Sequence, residues 1–209
     1  MDPDGVAGPA LSFDGIDDYI DLGPGMNLGT NDATISIWYK IDAKPTSAAG
    51  VIGKSVYGPT KGRYSILWSA NYITSMFHGN TEVSAKNGWQ TSYYDGQWHQ
   101  LTAVYARSSA NSVYVDNELL ASANISNSTT YNMKNTALWL IGAYGNSNGN
   151  APQPNYYCKG SLVEARLMFQ AVSEDWIWAS HRNIAFNNSF NEYGTPVSNM
   201  SNGTIIELR

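Results

Sequence analysis

The residues most capable of chemistry are thinly spread along this chain. Its six glutamates, Glu82, Glu118, Glu164, Glu174, Glu192 and Glu207, stand apart from one another. Glycoside hydrolysis needs two carboxyl groups facing each other across the scissile bond. His78, His99 and His181 show no metal-ligand spacing, and Cys158 has no histidine close by in the sequence. Neither a G-x-S-x-G elbow nor a phosphate-binding loop occurs. These features argue against an enzyme, with a glycosidase built from distant, converging carboxylates as the alternative.

Rings and amides are abundant instead. There are 14 Tyr and 7 Trp against 5 Phe, with 21 Asn and 22 Ser. Sugar rings present apolar C–H faces that stack on Trp and Tyr, while their hydroxyls need Asn, Gln, Asp or Arg at the rim. The combination points to a poly- or oligosaccharide ligand bound without covalent chemistry. Two groups of rings are candidates. Tyr64, Ile66 and Trp68, with Tyr72 and Met76 on the next strand, are expected to share one face by period-two alternation, with Arg63 at the start of the first strand and Leu67, Ile73 and Phe77 opposite. The competing explanation is that this face is the interior. Trp89, Tyr93, Tyr94, Tyr144, Tyr156 and Tyr157 fall in predicted loops, beside Asn87, Gln90, Asn146, Asn148, Gln153 and Asn155. Here the competing explanation is ring packing that fixes the loops. Trp38, Trp98 and Trp139 fall in regular strands and are expected in the core.

The elements that would position these residues are short. Alternating runs broken by Gly, Asn, Asp and Pro predict strands over 10–13, 19–22, 33–41, 49–54, 63–69, 72–78, 97–106, 112–115, 118–125, 137–143 and 160–169. Asp116-Asn117 predicts a tight hairpin. The stretch 144–157 reads as one long Gly/Asn/Pro loop. A single helix is predicted over 173–185, with Ser173 as cap and Glu174 and Asp175 at its positive end. The fold class is therefore all-β: a two-sheet antiparallel β-sandwich with one short helix near the C-terminus. It is expected to occupy residues 1–186, with 187–209 a polar extension ending in a strand.

Composition narrows the partners. The 209 residues carry a net charge of −5 and only 14% charged side chains, against about 25% in an average soluble protein. There is no Lys/Arg cluster to suit nucleic acid. No apolar run approaches the length of a membrane-spanning helix. Met1-Asp2-Pro3-Asp4 lacks the features of a signal peptide, and one cysteine permits no internal disulfide. Low charge and high Asn/Ser/Gly predict an extracellular, secreted or surface domain of a larger protein. Sequons begin at Asn124, Asn127, Asn187, Asn199 and Asn202.

Three segments in order resemble the laminin-G-like, concanavalin A-like jelly roll. The first is Leu11-Ser12-Phe13-Asp14-Gly15-Ile16-Asp17-Asp18-Tyr19-Ile20-Asp21-Leu22, similar to the family's first strand. The second, Asp95-Gly96-Gln97-Trp98-His99-Gln100-Leu101 followed by Val113-Tyr114-Val115-Asp116-Asn117, resembles its D-G-x-W-H strand and Y-V-D-G hairpin, with Asn117 in place of Gly. The third, Gly160 to Leu167 followed by Val172-Ser173-Glu174-Asp175, resembles its closing strand and short helix, with Val163 where an acidic residue is usual. The resemblance implies the sandwich fold and a structural role for His99. It also implies a structural calcium near Asp14, to which Asp17, Asp18 and Asp21 could add oxygens; a solvated acidic strand edge is the alternative. The family hosts glycan-binding modules, lectins, adhesion domains and some glycosidases. In its glucanases the catalytic carboxylates alternate closely on one strand, and this sequence has no such strand. The expected function is a non-catalytic carbohydrate-binding module, the alternative a structural or adhesion domain that binds protein or acts as a spacer.

Overall fold

The computed structural model describes residues 8–56 and 62–186. The expected C-terminal extension, 187–209, and the sequons at Asn187, Asn199 and Asn202 lie outside the described residues. The chain forms β1 (Leu11–Asp14), β2 (Ile20–Asp21), β3 (Ala33–Lys40), β4 (Ala49–Lys54), β5 (Arg63–Trp68), β6 (Tyr72–His78), β7 (Glu82–Gly88), β8 (Trp98–Tyr105), β9 (Ala110–Val115), β10 (Glu118–Asn124), β11 (Trp139–Ile141), β12 (Ala143–Gly145), β13 (Pro152–Tyr157), β14 (Lys159–Met168) and α1 (Glu174–Ala185). Two antiparallel six-stranded sheets, ordered β1-β14-β3-β8-β9-β10 and β2-β11-β4-β5-β6-β7, make the sandwich. β12 and β13 form a separate hairpin. Ser173 caps α1, its side chain accepting from the Trp176 N–H at 3.2 Å.

Inward-facing residues of alternating strands fill the space between the sheets. Ile35, Ile37, Tyr39, Leu101, Ala103 and Tyr105 from the first sheet meet Tyr64, Ile66, Trp68, Ile73, Phe77 and Trp139 from the second, all buried. Rings with polar edges suit this core where the edge finds a backbone carbonyl, as four of them do. The hydroxyls of Tyr39, Tyr64 and Tyr105 donate to the carbonyls of Tyr93, Met26 and Ser65. Trp139 Nε1 also donates to Met26.

Three sequence expectations are corrected, and one strand is added that the sequence reading lacks. Trp98 is only half-buried, with the Lys40 ammonium 5.4 Å from its ring centre. The run 82–88, with one fully buried residue, is a strand, and the predicted loop 144–157 contains β13. The predicted strand over 137–143 is split at Gly142, whose φ of 82° turns the chain. A Cβ there would lie 2.4 Å from the Phe13 ring. The turn carries β12 off the second sheet and folds it over β4. Gly50 makes that contact possible, since a Cβ on it would sit 2.3 Å from the Ala143 carbonyl.

On the outer face of the first sheet, α1 covers Trp38, whose indole stacks on His181 at 5.4 Å and 8°. Beside it the D-G-x-W-H strand and the next hairpin are tied together by Asp116. The hairpin forms because Asp116 and Asn117 both adopt positive φ, 50° and 68°. Asp116 Oδ2 lies 2.6 Å from His99 Nδ1, and Oδ1 accepts the Gln100 N–H at 2.8 Å. His99 Nε2 reaches Asp95 at 3.1 Å. Burial works against ionising Asp116, but the bonds from His181, His99 and Gln100 outweigh it and hold its pKa down at about 2. Burial likewise opposes the charge on His99, and Asp116 with Asp95 outweighs that and raises its pKa.

Asp116→Asn should cost about 1–3 kcal/mol of stability. A raised histidine pKa stabilises fully below the unfolded value of about 6.5 and is lost as pH rises through the folded value; a lowered carboxyl pKa stabilises above about 3.9 and is lost on acidification below it. The gap between wild type and Asp116→Asn in urea melts is therefore larger at pH 5 than at pH 8. Gly50→Ala should also destabilise by about 1–3 kcal/mol, by overpacking, and protease should then cut the 144–157 hairpin faster than in wild type.

Candidate functional site

The pleat of β5 sorts its residues between core and surface. Residues directly opposite in an antiparallel pair share a face. Tyr64 pairs with Phe77, Ile66 with Ser75 and Trp68 with Ile73, so these face the interior. Arg63, Ser65 and Leu67 pair with His78, Met76 and Thr74 on the outer face, and β7 continues the rows with Glu82, Ser84 and Lys86. Tyr64 and Trp68 are therefore corrected from ligand contacts to core, at 0% and 1% exposure. The expectation that Tyr72 and Met76 share their face is wrong, because the hairpin register places both on the outer face with Leu67. Tyr72 is half-buried there, with the Lys86 ammonium 4.8 Å from its ring centre.

The predicted loop rings separate into two sets. Trp89, Tyr93 and Tyr94 close one end of the sandwich. The Trp89 ring lies 5.9 Å from Trp68 and 6.2 Å from Tyr94, and its Nε1 donates to Ser69 at 2.8 Å. Tyr93 is buried and its carbonyl holds Tyr39. Tyr93 is therefore corrected to a loop anchor, while Trp89 and Tyr94, half-buried, pack against the core from outside. Tyr144 and Tyr156 belong to the β12–β13 hairpin, their ring centres 6.1 Å apart. Tyr157 takes the other face of β13, as strand alternation requires. It lies 6.4 Å from Tyr19 and lines a cleft of about 560 Å³ at the sandwich end with Phe13, Lys44 and Lys159. Asn146 follows β12 and is half-buried. Its side chain folds its own turn, accepting from the N–H groups of Asn148 and Asn150 and donating to Asn150 Oδ1.

The hairpin and the outer face of the second sheet enclose a groove of about 260 Å³. It is lined by Ala49, Arg63, Leu67, Met76, Glu82, Tyr144 and Tyr156. Apolar side chains form most of its wall, and the charge sits at one end. Arg63 is buried at 3% exposure. Its guanidinium donates to the Val56 carbonyl and the Tyr144 hydroxyl, each at 3.1 Å, and lies 3.3 Å from His78 Nδ1. Glu82 closes on it at 2.5 Å. Of the residues expected at a binding site, Arg63, Tyr144 and Tyr156 are thus brought together. Met76, expected on the first candidate face, and Leu67, expected on the face opposite, join them, and so does Glu82, unforeseen because β7 has little alternation to mark it as a strand.

Two further sets of reactive groups lie outside the groove. Cys158 is fully buried, and burial pushes its thiol pKa up. Asp14, Asp17 and Asp18 each offer a carboxylate oxygen within 4.8 Å of the others, all exposed. Some of those oxygens already accept N–H groups within the turn: Asp14 from Ile16, and Asp18 from Asp14. Asp21 stands outside the cluster on β2, bonded to the Gly23 N–H. The donor set suits a hard cation in oxygen type, with three of the six to eight oxygens that calcium takes.

No protein of curated function matches the chain. Solved structures share its fold. The binding domain of Paraclostridial Mosquitocidal Protein 1 superposes with a TM-score of 0.64 at 12% identity, over 86% of this chain and 44% of that one. The receptor binding domain of botulinum neurotoxin D gives 0.64 at 13% identity, over 84% and 44%. Domains LG4-5 of the mouse laminin alpha1 chain give 0.60 at 16% identity, over 79% and 42%. The chain thus spans less than half the length of each. A laminin-G family model described as the concanavalin A-like lectin/glucanases superfamily matches residues 14–178, and the chain belongs to that family.

Proposed function

We propose that this domain is a non-catalytic carbohydrate-binding module that receives part of a poly- or oligosaccharide in the groove beneath the β12–β13 hairpin. The observation that carries the reading is the groove itself, with apolar and aromatic walls and hydrogen-bonding groups gathered at one end. That is the division of labour a sugar needs, C–H faces against Leu67, Met76 and Tyr156, and hydroxyls toward Glu82 and Arg63. Glu82 is the single carboxylate among the described residues that line it, whereas hydrolysis calls for a facing pair. Two of the toxin domains of this fold are described as binding or receptor-binding domains, which supports a binding role. We place the module outside the cell or at its surface, within a larger protein, where it raises local concentration on a glycan. None of the described helices is long and apolar enough to cross a membrane.

A glycan array tests this. The wild-type chain should bind at least one saccharide class, and Tyr156→Ala should weaken that binding about tenfold or less, the scale of one ring contact. Trp89→Ala should lower the melting temperature without abolishing binding. An array with no bound glycan would overturn the reading in favour of a structural or adhesion domain.

We further propose that Asp14, Asp17 and Asp18 would hold a structural calcium, joining the turn after β1. A ligand at a hundredfold its Kd adds about 2.7 kcal/mol to stability. The melting temperature should fall on addition of a chelator and recover with excess calcium. A melt indifferent to both would remove the metal from the scheme.

A further inference from the structure

The groove's charged end is built asymmetrically. Arg63 is deep, with its side chain at 4% exposure, while Glu82 is on the edge strand β7 with its side chain at 43% exposure. A buried guanidinium without an anion is costly. Glu82 is the one carboxylate paired with Arg63 among the described residues. The other contacts, the Val56 carbonyl, the Tyr144 hydroxyl and His78, carry no fixed negative charge. Arg63 Nε has no hydrogen-bond partner among the described residues. The cation is therefore fixed by the fold, and its counter-ion is solvent-accessible and replaceable.

We infer that Glu82 stands in for a ligand carboxylate, and that the groove selects saccharides ending in a carboxylate-bearing sugar, which displaces Glu82 from Arg63. This rests on the glycan-binding reading above and narrows its ligand class. A guanidinium accepts a carboxylate through parallel N–H···O bonds, stronger and more directional than bonds to neutral hydroxyls. Once the sugar acid is seated at Arg63, its ring lies along Leu67 and Met76 with Tyr156 at the side, in a space of about 260 Å³. Glu82 returns to water at little cost because it is already half-exposed. No bond is made or broken.

The inference carries an unusual signature, since removing a charged groove residue should improve binding. Titration calorimetry of the full chain would compare a glucuronate-ended trisaccharide with its glucose-ended counterpart. Wild type should prefer the acidic sugar. Glu82→Ala should melt at a lower temperature, bind the acidic sugar about tenfold more tightly and regain thermal stability when it is added, while the neutral sugar, which loses a hydroxyl partner, binds no more tightly than to wild type. Equal affinity for the two sugars, or acidic-sugar affinity unchanged or weakened in Glu82→Ala, would overturn the inference. If wild type binds the neutral sugar alone, the acid selectivity falls and the glycan-binding reading stands. Failure of both sugars, together with a blank array, would overturn both.

Discussion

The alternation of side chains along β5 is the constraint from which core and site both follow. Odd and even residues of one six-residue strand serve opposite purposes. Tyr64, Ile66 and Trp68 go inward, where the hydroxyl of Tyr64 finds a carbonyl and the rings complete the packing between sheets. Arg63, Ser65 and Leu67 go outward, and Arg63 and Leu67 floor the groove. A register slip of one residue would exchange the two sets and bury a guanidinium among apolar rings. The strand therefore has one workable register, and the position of the site is inherited from the stability of the core.

The β12–β13 hairpin turns that outer face from a flat sheet into a groove. It departs from the second sheet at Gly142, where positive φ redirects the chain, and seats on β4 because Gly50 has no side chain. Tyr144 then reaches the guanidinium of Arg63. The same hydrogen bond orients the hairpin and satisfies a buried cation. Opposite, on the first sheet, Asp116 plays the comparable organising role by linking the D-G-x-W-H strand to its hairpin and to α1. The two polar nodes lie on different sheets, and each ties backbone segments distant in sequence to one another.

The sequence carried much of the architecture. Most of the strands, the Asp116-Asn117 hairpin and the helix after Ser173 were legible because each has a local cause: period-two alternation, two residues tolerant of positive φ, and a capping hydroxyl ahead of two acids. β7 was not legible, because its pairing partner β6, rather than its own polar sequence, makes it a strand. Trp98 misled for a related reason. Its run alternates like a buried strand, yet its ring falls on the outer face near Lys40.

The amino-acid sequence by itself determined that this chain is a β-sandwich rich in rings and amides, without a local catalytic motif, because composition and short-range periodicity are properties of neighbouring residues. Only the tertiary structure decided which rings meet solvent. Tyr64 and Trp68 looked no different from Tyr156 and Tyr157 as residue types. What separates them is strand register and the fold-back at Gly142, which set long-range contacts that no window of sequence contains. The pairing of Arg63 with Glu82 arises the same way, from two residues brought opposite each other across β6 by hydrogen-bond registers that only the assembled sheet defines.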